Sequence, residues 1–394
     1  MVGIAPSLLV LISLGIVGCG SENESEPNLI LITADLLPAD RLACFAQLDQ
    51  ADQPASTNAG KSICRLGEGG TLFGWTMTGR AGPASSAASV LTGLPPKIHG
   101  VDDSGLSFLG DRHITIAEQL SAAGYATAAF VENPILNRSR RLDQGFDHYD
   151  DRLTDDPDLA ARVQRWIASA RQPHFAWIQL GSEATVPEID RLVSRLDAIL
   201  GKESAETGVL FAALRGNEPD QLGIRLSTHR IPLIWRAPMN AESAARPKAS
   251  FALASLQDIA PTLLASARIA PLPTGETNVI GLDLDRIEEA ENDRYLLLEG
   301  TELGRDVGLA SGRTLYVRNK SALDASGQPV PPAALTLHAS RFLTLPLESL
   351  SNARSARLPA IPWRKDVLST DSPVPRLEFH LARKIQGRPV SATD

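Results

Sequence analysis

Residues 27–42 read PNLILITADLLPADRL. Within them, Asn28–Thr33 is a short, unbroken apolar run behind Pro27. Its length suits a strand better than a helix, and it lacks the polar alternation of a half-exposed strand. That is the pattern of a strand buried on both faces of a parallel sheet. Asp35 falls just past its C-terminal end. Similar runs recur at Ala126–Val131 (ATAAFV), Phe175–Leu180 (FAWIQL), Gly208–Ala213 (GVLFAA) and Ile231–Trp235 (IPLIW). Helical patterns lie between them. Thr115–Ala123 opens with Thr115 and Glu118 at capping-box spacing, and Asp156–Ala170 carries apolar residues at helical intervals. Pro187–Leu200 places Ile189, Leu192, Val193, Leu196, Ile199 and Leu200 on one stripe, and Gln257–Ala267 follows the same logic. This alternation predicts an α/β fold: a doubly wound, mostly parallel sheet with helices on both faces. Ligands of such sheets sit beyond the strand C-termini, so chemistry is to be sought at Asp35 and just after Ala213.

From about residue 294 the texture changes. Tyr295–Glu299, Val307–Ala310 and Thr314–Val317 predict a small antiparallel sheet. Ser321–Ala334, rich in Pro, Gly, Ala and Ser, reads as a loop, and the last 45 residues show little period. The expected organisation is a signal peptide over 1–18, a lipidated tether over 19–27, a main domain over 28–290 and a smaller antiparallel α+β subdomain over 291–394.

Residues 4–18, IAPSLLVLISLGIVG, form an apolar run too short to span a bilayer, which takes about 20 residues. It fits the apolar part of an export signal. Ile16-Val17-Gly18-Cys19 resembles a bacterial lipobox, which makes Cys19 the expected lipidation site, and the polar, acidic stretch 20–27 reads as a tether. The expectation is a chain exported to a bacterial cell envelope and held there by lipid, on the periplasmic side or at the cell surface. There Cys44 and Cys64 either pair or stay as buried thiols. Pairing would close a loop of about 20 residues, worth roughly 3 kcal/mol in the entropic account. With 38 Lys+Arg against 46 Asp+Glu and a formal charge of −8, the chain lacks the basic footprint of a nucleic-acid binder. Ala55–Ser62 fits a relaxed phosphate-loop pattern, but no strand-like run precedes it, so it reads as a chance match. Arg138, Arg140 and Arg141 read as a solvated face. His99, His113, His148 and His229 read as packing or surface residues.

Several segments, in order, resemble those of bacterial sulfatases and related alkaline-phosphatase-superfamily hydrolases: residues 27–42, SSAASVLTGLPPKIHGV (85–101), 115–136, LDQGFDHYDD (142–151), RIPLIWRAP (230–238) and LQDIAPTLLASA (256–267). The resemblance covers about residues 27–285. It implies a mechanism in which a formylglycine made from Cys or Ser, or a Ser or Thr itself, attacks sulfur or phosphorus. A divalent metal held by carboxylates and His or Asn activates it.

Carried onto this chain, the pattern is broken. The first-strand metal ligand is kept as Asp35, but Leu36 stands where many members have a second Asp. The nucleophile position falls on Pro83, and the following Ser and Arg/His positions fall on Ser86 and Ala87. The second pair of metal ligands falls on Leu214 and Arg215. Ser182-Glu183-Ala184 stands where a D-P-H is common. A hard divalent ion seeks about six oxygen ligands. A guanidinium about 4 Å from such an ion would repel it by roughly 8 kcal/mol at an effective dielectric near 20. Arg215 is therefore expected to form an ion pair with Asp35 in place of the metal.

The leading expectation is an envelope lipoprotein with a sulfatase-like scaffold and no catalysis, binding a ligand or an envelope protein, without cofactor or nucleic acid. One alternative is an active sulfuric- or phosphoric-ester hydrolase with a shifted Ser85 or Ser86 nucleophile and a divalent metal such as calcium on Asp35 and Asp40. Another is a purely structural lipoprotein.

Overall fold

The computed structural model describes residues 26–49, 59–151, 158–181, 183–200, 206–217, 224, 226–239, 248–272, 281–287 and 294–300, and the strands 306–311, 314–319, 333–337, 344–346 and 363–366. The main sheet is built from β1 (Asn28–Leu36), β2 (Thr71–Phe73), β4 (Ala126–Val131), β5 (His148–Asp150), β6 (His174–Leu180), β7 (Thr207–Arg215), β8 (Leu233–Arg236), β9 (Lys248–Ser250) and β15 (Thr344–Pro346). Its order is β15-β9-β2-β8-β7-β1-β6-β4-β5. β1 lies at its heart, parallel to β6 on one side and β7 on the other. Its residues Asn28 to Asp35 are all buried. That is why its sequence is apolar without alternation: both faces meet protein.

The helices are α1 (Ala43–Asp49), α2 (Lys61–Glu68), α3 (Pro83–Thr92), α4 (Pro96–His99), α5 (Ile116–Ala122), α6 (Leu159–Ser169), α7 (Val186–Leu200), α8 (Leu226–His229) and α9 (Ile259–Ser266). They pack as two sets, α3 with α5 and α9, and α2 with α7 and α6. The stripe on α7 is buried at Ile189, Leu192, Val193, Leu196 and Leu200. Thr115 and Glu118 close a reciprocal capping box at the start of α5, Glu118 N–H to Thr115 Oγ1 at 3.1 Å and Thr115 N–H to Glu118 Oε2 at 2.7 Å. The Lys61 and Ser62 that end the phosphate-loop pattern begin α2, whose first N–H groups are taken by the Asp190 carboxylate from α7. Ser62 N–H reaches it at 2.6 Å and Ile63 N–H at 3.0 Å. A fixed carboxylate leaves no room there for a phosphate.

A second sheet, β11-β12-β13-β14-β16, is wholly antiparallel: β11 (Tyr295–Glu299), β12 (Asp306–Ser311), β13 (Thr314–Asn319), β14 (Ala333–Leu337) and β16 (Trp363–Asp366). No helix is described beyond residue 294, and β15 joins the main sheet. Two expectations need correction. Ala333 and Ala334, read as loop, belong to β14; residues 320–332 lie outside the described residues. The run at 231–235 forms β8, antiparallel to both β7 and β2. The chain turns back on itself after β7, with Gly216 N–H bonded to Thr228 O and Asn217 N–H to Ser227 O, both at 2.8 Å. Gly216 permits this approach, since an added Cβ would lie 2.2 Å from Ser227 O. Strands β2, β5 and β9, and the two-residue β3 (Thr76–Met77) and β10 (Ala254–Ser255), are too short to show a period.

Cys44 and Cys64 are joined by a disulfide that ties α1 to α2, with Cα atoms 5.7 Å apart. Among the described residues no helix is long and apolar enough to cross a membrane. Cys19 and the run at 4–18 lie outside them.

Candidate functional site

The C-terminal ends of β1, β6 and β7 lie side by side, and α3 packs against β7. Asp35, at the end of β1, is fully buried. In register, Leu36 lies beside Arg215 at the end of β7, and Leu37 N–H bonds Arg215 O at 3.0 Å. The Arg215 guanidinium, itself 8% exposed, donates to Asp35 Oδ1 through Nε at 3.4 Å and to Oδ2 through Nη2 at 3.1 Å. The ion pair expected from the sequence is present. A buried carboxylate needs such a partner, and the two-pronged guanidinium meets both its oxygens. Leu214 is fully buried on β7.

Those residues do not suit a divalent metal. Among the described residues no three His, Cys, Asp or Glu side chains come together to hold one. Asp40, the second carboxylate of the alternative reading, is exposed on the 3-10 turn Ala39–Arg41.

The start of α3 is equally changed. Pro83 stands at the first helical position, where its missing N–H costs nothing. Ser85 Oγ donates to Asp103 Oδ2 at 3.1 Å, and Ala84 N–H donates to Asp103 Oδ1 at 2.7 Å. Asp103 therefore caps the helix from a different segment. The residue sits on an exposed turn, but its carboxyl group faces protein. The resulting desolvation raises its pKa, against hydrogen bonds from Ala84 and Ser85 and the charges of Arg80 and Arg140. Ser86 is committed elsewhere: its Oγ lies 2.9 Å from both Thr78 Oγ1 and Arg80 O.

Ser89 and His99 form a buried pair at 3.0 Å, which at first resembles a nucleophile and its base. The tautomer excludes that. Val101 N–H donates to His99 Nδ1 at 3.0 Å, so the ring proton is on Nε2 and points at Ser89. Burial pushes His99 down to about 3, helped by the charges of His113 and Arg80. His174, fully enclosed at the start of β6, is lowered to about 4 by burial, and neither ring nitrogen has a hydrogen-bond partner among the described residues. Both imidazoles stay neutral in the fold while an unfolded chain would take up protons near pH 6.5. Between those values the unfolded state holds more protons, so stability falls as pH drops from about 6.5 toward 4, by up to about 1.4 kcal/mol per pH unit for each histidine. His174→Phe, which gives up no hydrogen bond, is expected to flatten that slope in urea unfolding at pH 5 and 6. An unaltered slope would show that His174 titrates normally.

The remaining sequence candidates divide. His113 is buried, His229 donates through Nε2 to Glu299 O at 3.1 Å, and His148 is exposed and packs on Phe130. Arg138 and Arg141 are solvated, but Arg140 is not: it is 5% exposed and donates to Ser107 O at 2.7 Å and Ile135 O at 3.2 Å, satisfying two loop carbonyls. Two features were missed. Asp103 follows His99 by four residues with nothing in the sequence to tie it to α3. Arg80 pairs with Glu299 at 2.5 Å across 219 residues of chain.

The sulfatase family model matches residues 27–183, which take in Asp35, α3 and β6. No curated protein sequence matches the chain. Among solved structures, it resembles a protein in complex with its substrate D-glucosamine-2-N,6-O-disulfate (14% identity, TM-score 0.64, 92% of this chain and 98% of that one). It also resembles a phosphonate monoester hydrolase of Agrobacterium radiobacter (14%, 0.61, 92% and 95%). A third is a protein in the alkaline phosphatase superfamily from Vibrio parahaemolyticus (14%, 0.59, 93% and 89%). At such identities the structural likeness is one of fold. By sequence, residues 27–183 match the sulfatase family, and the architecture built on them has the fold of the sulfatase and alkaline-phosphatase-like structures.

Proposed function

We propose that this chain keeps the sulfatase scaffold without its hydrolysis, as a lipid-anchored binding or scaffolding protein of a bacterial cell envelope. The observation that carries the reading is the Asp35–Arg215 pair. The one carboxylate retained from the metal set is spent on a fixed cation of the chain's own, and Pro83 brings no nucleophile to the head of α3. Fold alone does not supply the activity when the groups that perform it are replaced. Cys19 would carry the lipid, and the ligand would be a small molecule or an envelope protein; no cofactor is called for.

A second reading has one observation in its favour. Ser85 Oγ donates to the Asp103 carboxylate, a nucleophile-and-base arrangement at a helix start. Against it, Ser85 is fully buried.

Metal analysis of the purified full chain, with aryl-sulfate and aryl-phosphate assays in added calcium, separates the two. The expected result is no stoichiometric metal and no turnover above background. Turnover lost in Asp35→Ala or Ser85→Ala would establish the hydrolase instead.

A further inference from the structure

Single exposed apolar residues need no explanation, but apolar side chains gathered at one place on a surface do. Among the described residues, five large apolar side chains are exposed. Three of them stand on two neighbouring segments: Leu106 at 88%, Phe108 at 53%, and Ile135 at 43% in the 3-10 turn Pro134–Leu136 after β4. Arg140 stitches the segments together. Its buried guanidinium donates to Ser107 O through Nη1 at 2.7 Å and to Ile135 O through Nε at 3.2 Å. Leu109 N–H adds a bond to Arg140 O at 2.9 Å, and the Arg141 guanidinium lies 5.9 Å from the centre of the Phe108 ring. A cation spent on backbone carbonyls thus holds the two segments side by side, with their apolar side chains in water.

The rim decides what fits this surface. Arg141 is paired with Asp111, and Arg138 with Asp143 at 3.1 Å, and both pairs reach solvent. A rim of mixed sign offers no single field to anionic headgroups or to a charged polymer. It does suit its own copy. In a two-fold contact the same patch faces itself, so each residue meets its counterpart's neighbour reciprocally. A rim of one sign would repel its copy, whereas here each Arg can turn to an Asp across the axis.

We propose that Leu106, Phe108 and Ile135 form the centre of a two-fold interface between two copies of this chain, with Arg141 of each copy facing Asp111 of the other. Three side chains supply only the middle of the roughly 800 Å² that each partner buries in a standard interface, so association is expected at about micromolar concentration. The inference stands apart from the loss of hydrolysis, since Asp35 and Arg215 take no part in it.

Sedimentation of the purified full-length chain over a range of concentrations tests it. The unaltered chain is expected to pass from monomer to dimer. Phe108→Glu, at an exposed position, should raise the dissociation constant at least about tenfold with thermal unfolding unchanged. Leu106→Glu should do the same, which keeps the test alive if Phe108→Glu does not fold. Asp111→Arg and Arg141→Asp should each weaken the dimer several-fold by setting like charges against one another, and the double swap should restore it. A monomer at every concentration overturns the proposal and leaves the patch to a different protein or to a lipid surface. So does a dimer that Phe108→Glu and Leu106→Glu leave intact, or one that the double swap fails to restore.

Discussion

Asp35→Ala is expected to lower the stability of the fold by about 3–5 kcal/mol, the range for breaking a buried ion pair from one side. Most of that loss comes from the partner left behind. Arg215 cannot shed its proton, and its guanidinium would remain in a nearly closed site with both Asp35 oxygens gone. Arg215→Met should cost a similar amount by taking the guanidinium from the fully buried Asp35 carboxylate. The double variant Asp35→Leu/Arg215→Met should recover most of either loss, because well-packed apolar side chains replace such pairs with little penalty. Urea unfolding of the four proteins gives the coupling directly. Additive single losses would show that the two groups do not depend on each other. A rise in stability of the unaltered chain on adding calcium would show that a metal competes for Asp35.

Asp258→Ala should be at least as damaging, by about 3–5 kcal/mol, through an ion pair separate from Asp35–Arg215. Asp258 is fully buried, in the 3-10 turn Leu256–Asp258 that leads into α9. Its carboxylate accepts four hydrogen bonds: Ser255 N–H at 2.7 Å, Leu282 N–H at 2.8 Å, and Arg294 through Nη1 at 2.9 Å and Nη2 at 2.5 Å. Arg294 stands directly before β11. One carboxylate thus caps a helix, fixes the chain at Leu282 and pins the entry to the antiparallel sheet. Without it, a buried guanidinium keeps only its bond to Leu253 O, and the N–H groups of Ser255 and Leu282 lose their acceptor. Limited proteolysis should then cut near Arg294 at a rate well above that of the unaltered protein. An unchanged cleavage rate together with unchanged thermal stability would mean the pin carries no load.

The core of the fold was legible because its strands are buried on both faces and its helices on one. Ala126–Val131 appears with the expected bounds, and β1, β6 and β7 extend the predicted runs by one to three residues at their ends. The direction of β8 was not legible, because burial gives an apolar run whichever way the strand points. That direction is set by the backbone bonds after Arg215. The Asp35–Arg215 pair could be read because both residues sit at strand ends whose adjacency follows from the topology. Asp103 and the Arg80–Glu299 pair could not be read. They join a loop to a helix and the segment after β3 to the antiparallel sheet, and such meetings leave no period in the chain. Arg140 shows the opposite error, since a cluster of three arginines looks solvated until one of them is found threading between loop carbonyls.

β1 also sets the entry of the chain apart from the candidate site. It enters the sheet at Asn28 and delivers Asp35 at the far end, with Tyr125 Oη holding Pro27 O at 3.1 Å beside the entry. At about 3.3 Å per residue the strand separates those ends by roughly 23 Å. A lipid on Cys19 would hang from the entry side, on a leash of eight residues that reaches at most about 28 Å. Under the proposed lipid anchor, the Asn28 end of β1 would be the one tied to the membrane, and the Asp35–Arg215 pair would lie at the opposite end of the strand.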